Sequence, residues 1–204
     1  NGKTSVATLL FRLHRALGHK CGLLSTVESR IGPRVLPSTH TTPDAVRINE
    51  LLAEMVAERV THCFMEVSSH SVVQDRVTGL HFAAGVFTNI THDHLDYHGT
   101  FAEYIKAKKR FFDRLPAGAF ALVNADDNNS GVMVQNTKAT KRSFAVRNMA
   151  DHRARIVENQ LTGLHLSIDG HDLYSRLIGE FNASNLLAAY ATAILLGEKP
   201  LDVL

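Results

Sequence analysis

The chain has 204 residues, of which 45% are hydrophobic and 21% are charged, and its formal net charge is +2. This length and composition indicate one globular domain with a full core, or at most two small ones. The small net charge argues against a nucleic-acid or membrane surface, and no apolar run is long enough to span a bilayer. The only two cysteines, Cys21 and Cys63, lie before and inside apolar runs. Both are predicted to be buried thiols in a reducing compartment, which indicates the cytoplasm.

The first element is a helix that begins within NGKTS and is predicted to run to about Leu17. Gly-Lys-Thr at a helix start is the second half of a P-loop, in which backbone N–H groups and the helix dipole receive phosphate oxygens. Lys3 would add a positive charge, and the Thr4 hydroxyl could ligate Mg²⁺. The first glycine of the motif and an initiator methionine are both missing. We therefore expect an excised piece of a longer protein that by itself binds ATP weakly or not at all.

Strands and helices then alternate along the chain. CGLLST reads as a strand, and residues 31–37 are predicted to be irregular or a short hairpin. A helix is predicted from Pro43 to about Arg59, with Thr42 as its N-cap and with Pro43 and Asp44 in its first turn. Such alternation with short connections predicts a mainly parallel sheet covered by helices on both faces.

The next predicted strand, HCFMEV, ends at Glu66 and turns into polar residues. Ligands of open α/β sheets bind at the carboxyl ends of strands, so Glu66 lies where an acid could hold Mg²⁺ or orient water. A surface acid at a strand end is the alternative interpretation. The turn and helix that follow carry four polar side chains, Ser68, His70, Gln74 and Arg76.

A third strand end is followed by the cluster THDHLDYHG, in which histidines and carboxylates suit a divalent metal. His94 of this cluster occupies the same kind of place as Glu66. The helix after it is predicted to be capped by Thr100. Its lysine Lys108 falls, at roughly 100° per residue, near the centre of the apolar stripe. That lysine is either a snorkelling side chain with its head in water or a lysine held in a site.

From about Lys141 the pattern changes to short alternating segments with turn signals such as IDGHD. These segments are predicted to be a small antiparallel section appended to the main sheet. The last predicted element is a helix from Asn182 to about Leu196.

The motifs NGKTS, THTTPD, MEVSSHSVVQDR, FTNITHDHLDYHGTFAEYIKAKKRFF, NADD and GEFNASNLLAAYATAILLG together resemble the ATP-dependent Mur ligases of peptidoglycan synthesis. The resemblance covers almost the whole chain, with several long motifs in the right order. It implies that residues 1–204 are the central ATP-binding domain of such a ligase, with a P-loop type of α/β fold. The N-terminal UDP-binding domain and the C-terminal domain of the family would then be absent.

The resemblance also implies roles for individual residues. The P-loop match implies ATP binding by Asn1, Gly2, Lys3, Thr4 and Ser5, and the asparagines expected near adenine are Asn182 and Asn185. Metal ligands would be Thr4, Glu66, His94 and a carbamylated Lys108, and the catalytic set would be Lys3, Glu66, His94 and Lys108. Contacts to the UDP-sugar-peptide would come from Thr41, Thr42, Ser68, Gln74 and Arg76. His40 departs from the family pattern, where many members carry Asn.

The implied activity is amide bond formation through an acyl phosphate, with ATP and Mg²⁺ as cofactors. The partners would be UDP-N-acetylmuramoyl-dipeptide and a diamino acid. The motifs do not specify whether that amino acid is diaminopimelate or lysine. A monomer that contacts neither nucleic acid nor membrane is expected, and the isolated chain is expected to be inactive. Three alternatives remain open at this point: another Mur-type ligase, a ligase like folylpolyglutamate synthetase, or a nucleotide-binding module without chemistry.

Overall fold

The computed structural model describes residues 1–37, 41–91 and 99–204. The predicted metal ligand His94 and the atypical His40 lie outside these described residues. The described chain divides into two compact units. One holds residues 3–37, 41–80 and 99–110, and the other holds residues 1–2, 81–91 and 111–204. We call them the four-stranded unit and the six-stranded unit after their sheets.

The sheet of the four-stranded unit has the order β3-β2-β1-β4. Its strands are β1 (Cys21–Leu24), β2 (Ser29–Ile31), β3 (Arg34–Leu36) and β4 (His62–Met65). Strands β1 and β4 pair in parallel, whereas β2 and β3 form the predicted hairpin and continue from β1 in antiparallel fashion. The helices are α1 (Lys3–Ala16), α2 (Ala45–Ala57), α3 (Ser69–Val73) and α4 (Phe101–Asp113), whose last residues belong to the other unit.

Helix α2 packs on this sheet because its apolar face and a glycine in β1 fit each other. Leu51 and Met55 are buried against Leu24 and Ile31. A Cβ atom at Gly22 would overlap the Met55 side chain, so a residue without a side chain is needed at that point of β1. The close approach fixes α2, and with it the segment that enters the helix at residues 41–44.

The sheet of the six-stranded unit has the order β10-β9-β8-β7-β6-β5. Its strands are β5 (Ala84–Phe87), β6 (Phe120–Asn124), β7 (Thr140–Ala145), β8 (His152–Gln160), β9 (Gly163–Ile168) and β10 (His171–Ser175). Strands β5 to β8 are parallel, and β8, β9 and β10 form an antiparallel meander. The helices are α5 (Ser130–Met133), α6 (Glu180–Leu195) and α7 (Pro200–Val203).

These sheets confirm the predicted α/β class with mostly parallel strands, and they correct where the antiparallel section begins. KRSFAVR was predicted to be antiparallel, but it forms β7, which pairs in parallel with β6 through Leu122 and Arg142 among other residues. Residues 125–139, which include the short helix α5, connect the two strands, and a connection of this length allows β7 to run in the same direction as β6. Among the described strands of this sheet, β9 runs opposite to β8, and β10 runs opposite to β9.

Two local predictions are also wrong. Helix α2 is capped by Asp44, whose side chain accepts a hydrogen bond from the Arg47 N–H at 2.9 Å, and not by Thr42.

Cys21 is buried as predicted, and burial raises the pKa of its thiol to about 11. Cys63 is exposed, because successive residues of a strand point to opposite faces and Phe64 takes the buried one. In the described part of the chain no helix has the length and apolarity that crossing a membrane requires.

Candidate active site

Glu66 is the centre of the best-formed polar cluster in the four-stranded unit. It directly follows β4, and its side chain is buried with an exposed fraction of 5%. Its carboxylate oxygen Oε2 accepts three hydrogen bonds: from the Thr4 hydroxyl at 3.0 Å, from the Thr26 hydroxyl at 2.8 Å and from the Thr26 N–H at 3.1 Å. A buried carboxylate held by several donors has a fixed orientation, so this acid is not a surface acid at a strand end.

The contact between Thr4 and Glu66 supports the interpretation of NGKTS as a phosphate-binding loop. Thr4 lies in the first turn of α1, where backbone N–H groups have no partner within the helix. A hydroxyl that donates its proton to Glu66 still has lone pairs that can ligate a cation. Lys3, the residue before it, adds positive charge to the same helix start. The arrangement therefore provides a place for phosphate and a divalent metal together.

Thr26 is a site residue that motif reading missed. It lies in the tight turn between β1 and β2, where the Ser25 N–H donates to the Glu28 carbonyl at 3.2 Å and the Ser25 hydroxyl donates to the same oxygen at 2.9 Å. The Arg30 guanidinium beside Glu28 lowers the pKa of that carboxyl. A threonine in a hairpin turn carries no catalytic signature. Only the parallel pairing of β1 with β4 brings this turn to the strand end where Glu66 lies.

Thr42 connects the entry to α2 with the residues that follow β4. Its hydroxyl donates to the Glu66 carbonyl at 2.8 Å and accepts from the Ser68 N–H at 3.2 Å, and the side chain is buried. This use of the hydroxyl explains why Thr42 does not cap α2. The Ser68 hydroxyl in turn caps α3 by accepting from the Ser71 N–H at 3.1 Å. Thr42 and Ser68 therefore form a polar edge beside Glu66, and Thr41 directly precedes Thr42 in the chain.

Gln74 and Arg76 lie at the end of α3 and join this edge. The Arg76 guanidinium donates to the Thr42 carbonyl at 2.7 Å, and its Nε donates to the Gln74 side-chain oxygen at 2.8 Å. Five residues were predicted to contact a UDP-sugar-peptide: Thr41, Thr42, Ser68, Gln74 and Arg76. Hydrogen bonds join the last four in the four-stranded unit, and Thr41 is the sequence neighbour of Thr42. An edge that combines a guanidinium, an amide and hydroxyl groups can bind phosphate or carboxylate groups.

Lys108 is half-buried on α4, between the buried residues Tyr104 and Phe112 of the same helix. Its ammonium lies 5.0 Å from the centre of the Tyr104 ring, which is within the range of a cation–π contact. Lys106 differs from it, since its side chain is largely exposed beside Glu103. Thr100 begins the helix as predicted, with its hydroxyl accepting from the Glu103 N–H at 3.2 Å.

The residues before Lys3 contact the six-stranded unit. The Asn1 carbonyl accepts from the Thr88 hydroxyl at 2.7 Å and from the Asn89 side chain at 3.2 Å, just past the end of β5. The Gly2 φ is 78°, in the left-handed region that favours glycine. A Cβ atom at Gly2 would overlap the Asn185 amide oxygen, so the glycine permits close approach of the loop to α6.

Asn185 is buried, and its amide donates to the Asn182 side-chain oxygen at 3.2 Å. The two asparagines that were predicted to lie near adenine are therefore bonded to each other, and one of them also touches the loop glycine. Asn124 at the end of β6 is a further missed residue. Its amide donates to the Thr88 carbonyl at 2.8 Å and to the Ser184 hydroxyl at 3.5 Å, which links β5, β6 and α6 at one edge of the sheet.

The residues around Glu66 suit Mg²⁺, which prefers carboxylate, hydroxyl and phosphate oxygens and keeps several waters. Among residues 1–37, 41–91 and 99–204, no three His, Cys, Asp or Glu side chains group closely enough to hold a metal by themselves.

Replacing Thr26 by valine is expected to weaken metal binding about tenfold, because outer partners that orient a metal ligand typically contribute that much. Valine keeps the shape of threonine and the backbone N–H, but it loses the 2.8 Å hydrogen bond to Glu66. Titration of Mn²⁺ with the complete protein in the presence of a non-hydrolysable ATP analogue, followed by electron paramagnetic resonance, measures the effect directly. Thr26→Ser should bind as the parent does, and Thr61→Val, which alters an exposed threonine, is the matched control. Unchanged Mn²⁺ affinity in Thr26→Val would contradict the assignment.

The chain is similar to known proteins along its whole length. A family model described as the Mur ligase middle domain matches residues 1–193. The chain is 57% identical over 204 residues to the UDP-N-acetylmuramoyl-L-alanyl-D-glutamate–2,6-diaminopimelate ligase of Cytophaga hutchinsonii, and 50% identical to the ligase of the same name from Bacteroides thetaiotaomicron. It spans 100% of its own length but 42% of each relative.

A solved structure of a ligase with that name superimposes with a TM-score of 0.90 at 28% identity, covering 100% of this chain and 43% of the other. The MurF structure from Acinetobacter baumannii superimposes with a TM-score of 0.79 at 18% identity, covering 100% of this chain and 42% of the other. The second likeness shows a shared fold alone.

Proposed function

Because the chain belongs to the Mur ligase family through its middle domain, we propose that residues 1–204 are the central ATP-binding domain of a peptide ligase of peptidoglycan synthesis. The observation that carries the proposal is the buried Glu66, whose carboxylate accepts a hydrogen bond from the Thr4 hydroxyl at the start of α1. A phosphate-binding helix start combined with an oriented acid is the arrangement that phosphoryl transfer needs.

The substrates follow from the relatives. Those that are 50–57% identical over the whole chain are named for joining 2,6-diaminopimelate to UDP-N-acetylmuramoyl-L-alanyl-D-glutamate. We propose the same reaction for the complete protein that contains this chain, which narrows the expected diamino acid to diaminopimelate. Another Mur-type ligase and a folylpolyglutamate synthetase are less favoured, since the structures with those names are at most 18% identical and share only the fold.

Each bound group is assigned to its own set of residues. We propose that ATP phosphates bind to the backbone and side chains of residues 1–5, with Lys3 offsetting the charge of the transferred phosphoryl group. Asn182 and Asn185 would contact adenine. The UDP-sugar-peptide would bind along the polar edge formed by Thr41, Thr42, Ser68, Gln74 and Arg76. There the Arg76 guanidinium is oriented by hydrogen bonds to the Gln74 side chain and the Thr42 carbonyl.

The proposed chemistry is activation of a carboxylate. The terminal carboxylate of the dipeptide attacks the γ-phosphorus of ATP, and ADP leaves. The amine of diaminopimelate then attacks the carbonyl carbon of the acyl phosphate, and phosphate leaves as the amide forms. Lys3 and the helix start stabilise the charge on the phosphoryl oxygens, while Glu66 keeps the Thr4 hydroxyl in one orientation. Bound Mg²⁺ would supply charge stabilisation between the phosphate groups.

We propose that Lys108 acts as a carbamate. The ammonium first loses a proton to water, and the neutral amine then forms an N–C bond with CO₂ and releases a second proton. The resulting anionic N-carboxylate would ligate a cation together with Glu66 and His94, as the family resemblance implies. The half-buried position of Lys108 between the buried residues Tyr104 and Phe112 supports this role, because it holds the end of the side chain near an apolar face and not fully in water.

The proposed function is tested by phosphate release from ATP in the complete ligase. Release should require UDP-N-acetylmuramoyl-L-alanyl-D-glutamate, diaminopimelate and Mg²⁺ together, and mass spectrometry should show the tripeptide product. Lysine in place of diaminopimelate, and the UDP-sugar without its dipeptide, serve as controls. Phosphate release that does not depend on the dipeptide would contradict the proposal and would favour a nucleotide-binding module or another ligase.

A further inference from the structure

The turn after α3 has a backbone conformation that its sequence does not favour. The N–H of Arg76 donates to the Ser71 carbonyl at 2.9 Å, and the N–H of Asp75 donates to the Val72 carbonyl at 3.3 Å. These two bonds define a Schellman motif, in which the residue at the Asp75 position is left-handed and is usually glycine. Asp75 has a φ of 51°. Aspartate tolerates this region better than most residues, but glycine adopts it without strain.

The Asp75 side chain gives a reason for this choice. Its Oδ1 atom accepts from the Arg110 guanidinium of α4 at 3.1 Å and from the Thr78 hydroxyl at 2.9 Å. A glycine would relax the backbone but would lose both contacts. Asp75 combines backbone strain with a specific contact to a distant residue. This combination points to a role beyond stability.

The contact joins two parts of the proposed active site within the four-stranded unit. Asp75 is flanked by Gln74 and Arg76, which belong to the polar edge proposed for the UDP-sugar-peptide. Arg110 lies on α4 two residues after Lys108. The connection continues through the Arg76 guanidinium to the Thr42 carbonyl, and from the Thr42 hydroxyl to the Glu66 carbonyl. A chain of hydrogen bonds therefore runs from the lysine-bearing helix to the acid after β4.

We propose that Asp75 and Arg110 are positioning residues that hold the Gln74–Arg76 turn at a fixed place relative to the Lys108 helix. Neither side chain contacts substrate; each acts through the turn. The inference rests on the proposed function, since it assigns the UDP-sugar-peptide to that turn. Their effect is therefore expected on binding of the peptide substrate and not on binding of ATP.

The test compares stability with substrate binding in the complete ligase. Asp75→Gly should unfold at the same temperature as the wild type or higher, because the left-handed strain is relieved. Its KM for the UDP-sugar-dipeptide should rise about fivefold, which is about 1 kcal/mol and within the range of a part-exposed ion pair. The KM for ATP should stay unchanged. Arg110→Gln should show the same rise, and the double variant should be no worse than either single one.

Two controls make the result specific. Asp75→Asn keeps an acceptor oxygen and tolerates the left-handed backbone, so it should restore most of the peptide affinity. Arg34→Gln removes comparably exposed ion pairs to Glu54 and Glu58 elsewhere in the unit and should leave both KM values unchanged. The proposal is overturned if Asp75→Gly has a wild-type KM for the dipeptide, if both KM values rise equally, or if the defect follows a lower unfolding temperature.

Failure of the proposed function would look different. If phosphate release by the wild-type ligase does not depend on the dipeptide, the substrate assignment is wrong and the KM values no longer test the proposal. Hydrogen exchange then tests whether Arg110 positions the Gln74–Arg76 turn. Faster exchange of the Arg76 amide in Arg110→Gln than in Arg34→Gln supports the positioning of the turn by Arg110, and equal exchange overturns it.

Discussion

Replacement of Lys108 by alanine is expected to abolish ligation, with a rate at least about a thousandfold below the wild type, because the proposed anionic ligand of the metal ion would be lost. The fold should survive, since Tyr104, Ala107 and Phe112 keep the buried face of α4. Activity is measured as tripeptide formation in the complete ligase, and folding as the far-UV circular dichroism spectrum and the unfolding temperature. A short-chain carboxylate added to the Lys108→Ala enzyme should restore part of the activity.

Two neighbouring lysines provide matched controls for this prediction. Lys106→Ala removes an exposed side chain beside Glu103 and should keep nearly full activity. Lys109→Ala is expected to change little as well. Mass spectrometry under CO₂ can show the added carbamate directly. Full activity of the Lys108→Ala ligase would contradict the carbamate role and would leave Lys108 as a packing residue with its head near water.

Replacement of Glu66 by glutamine is expected to lower kcat by about a hundredfold to a thousandfold. The glutamine carbonyl oxygen can still accept from Thr4 and Thr26, so the local structure should be retained, while the negative charge is lost. The measurement is kcat as a function of Mg²⁺ concentration, together with Mn²⁺ binding. Both should show weaker metal binding in Glu66→Gln.

Glu50→Gln is the control for Glu66→Gln, because Glu50 is an exposed acid on α2 paired only at the surface with Arg47. It should bind Mn²⁺ and turn over like the wild type. If Glu66→Gln also retains wild-type Mn²⁺ affinity, Glu66 serves only to orient the loop at Thr4, and the metal assignment is wrong.

Much of the fold could be predicted because the relevant patterns are local. The caps and stripe of α4, the alternation of apolar strands with helices, and the polar residues after β4 are all visible within about ten residues of sequence. The position of Glu66 at a strand end followed from the same alternation. These features depend on backbone periodicity and burial, which the neighbouring residues largely determine.

The parts that could not be predicted depend on contacts between distant segments. Thr42 has the sequence signature of a helix cap, but its hydroxyl is used by Glu66 and Ser68, and Asp44 takes over the cap. Thr26 reaches Glu66 only through the pairing of β1 with β4. The direction of β7 depends on the connection before it, residues 125–139, which the alternation of KRSFAVR cannot reveal.

The meander of β8, β9 and β10 has a consequence for chain entropy and the order of folding. Its two turns each leave two residues between paired strands, since Gln160 pairs with Gly163 and Ile168 with His171. The pairing of β1 with β4 instead joins Cys21 to His62, far apart along the chain. Loop closure costs about 0.6 kcal/mol more for each doubling of loop length, and contacts that are local in sequence form faster. The meander can therefore form before β1 pairs with β4. The strand pairing that brings Thr26 to Glu66 is expected to form late in folding.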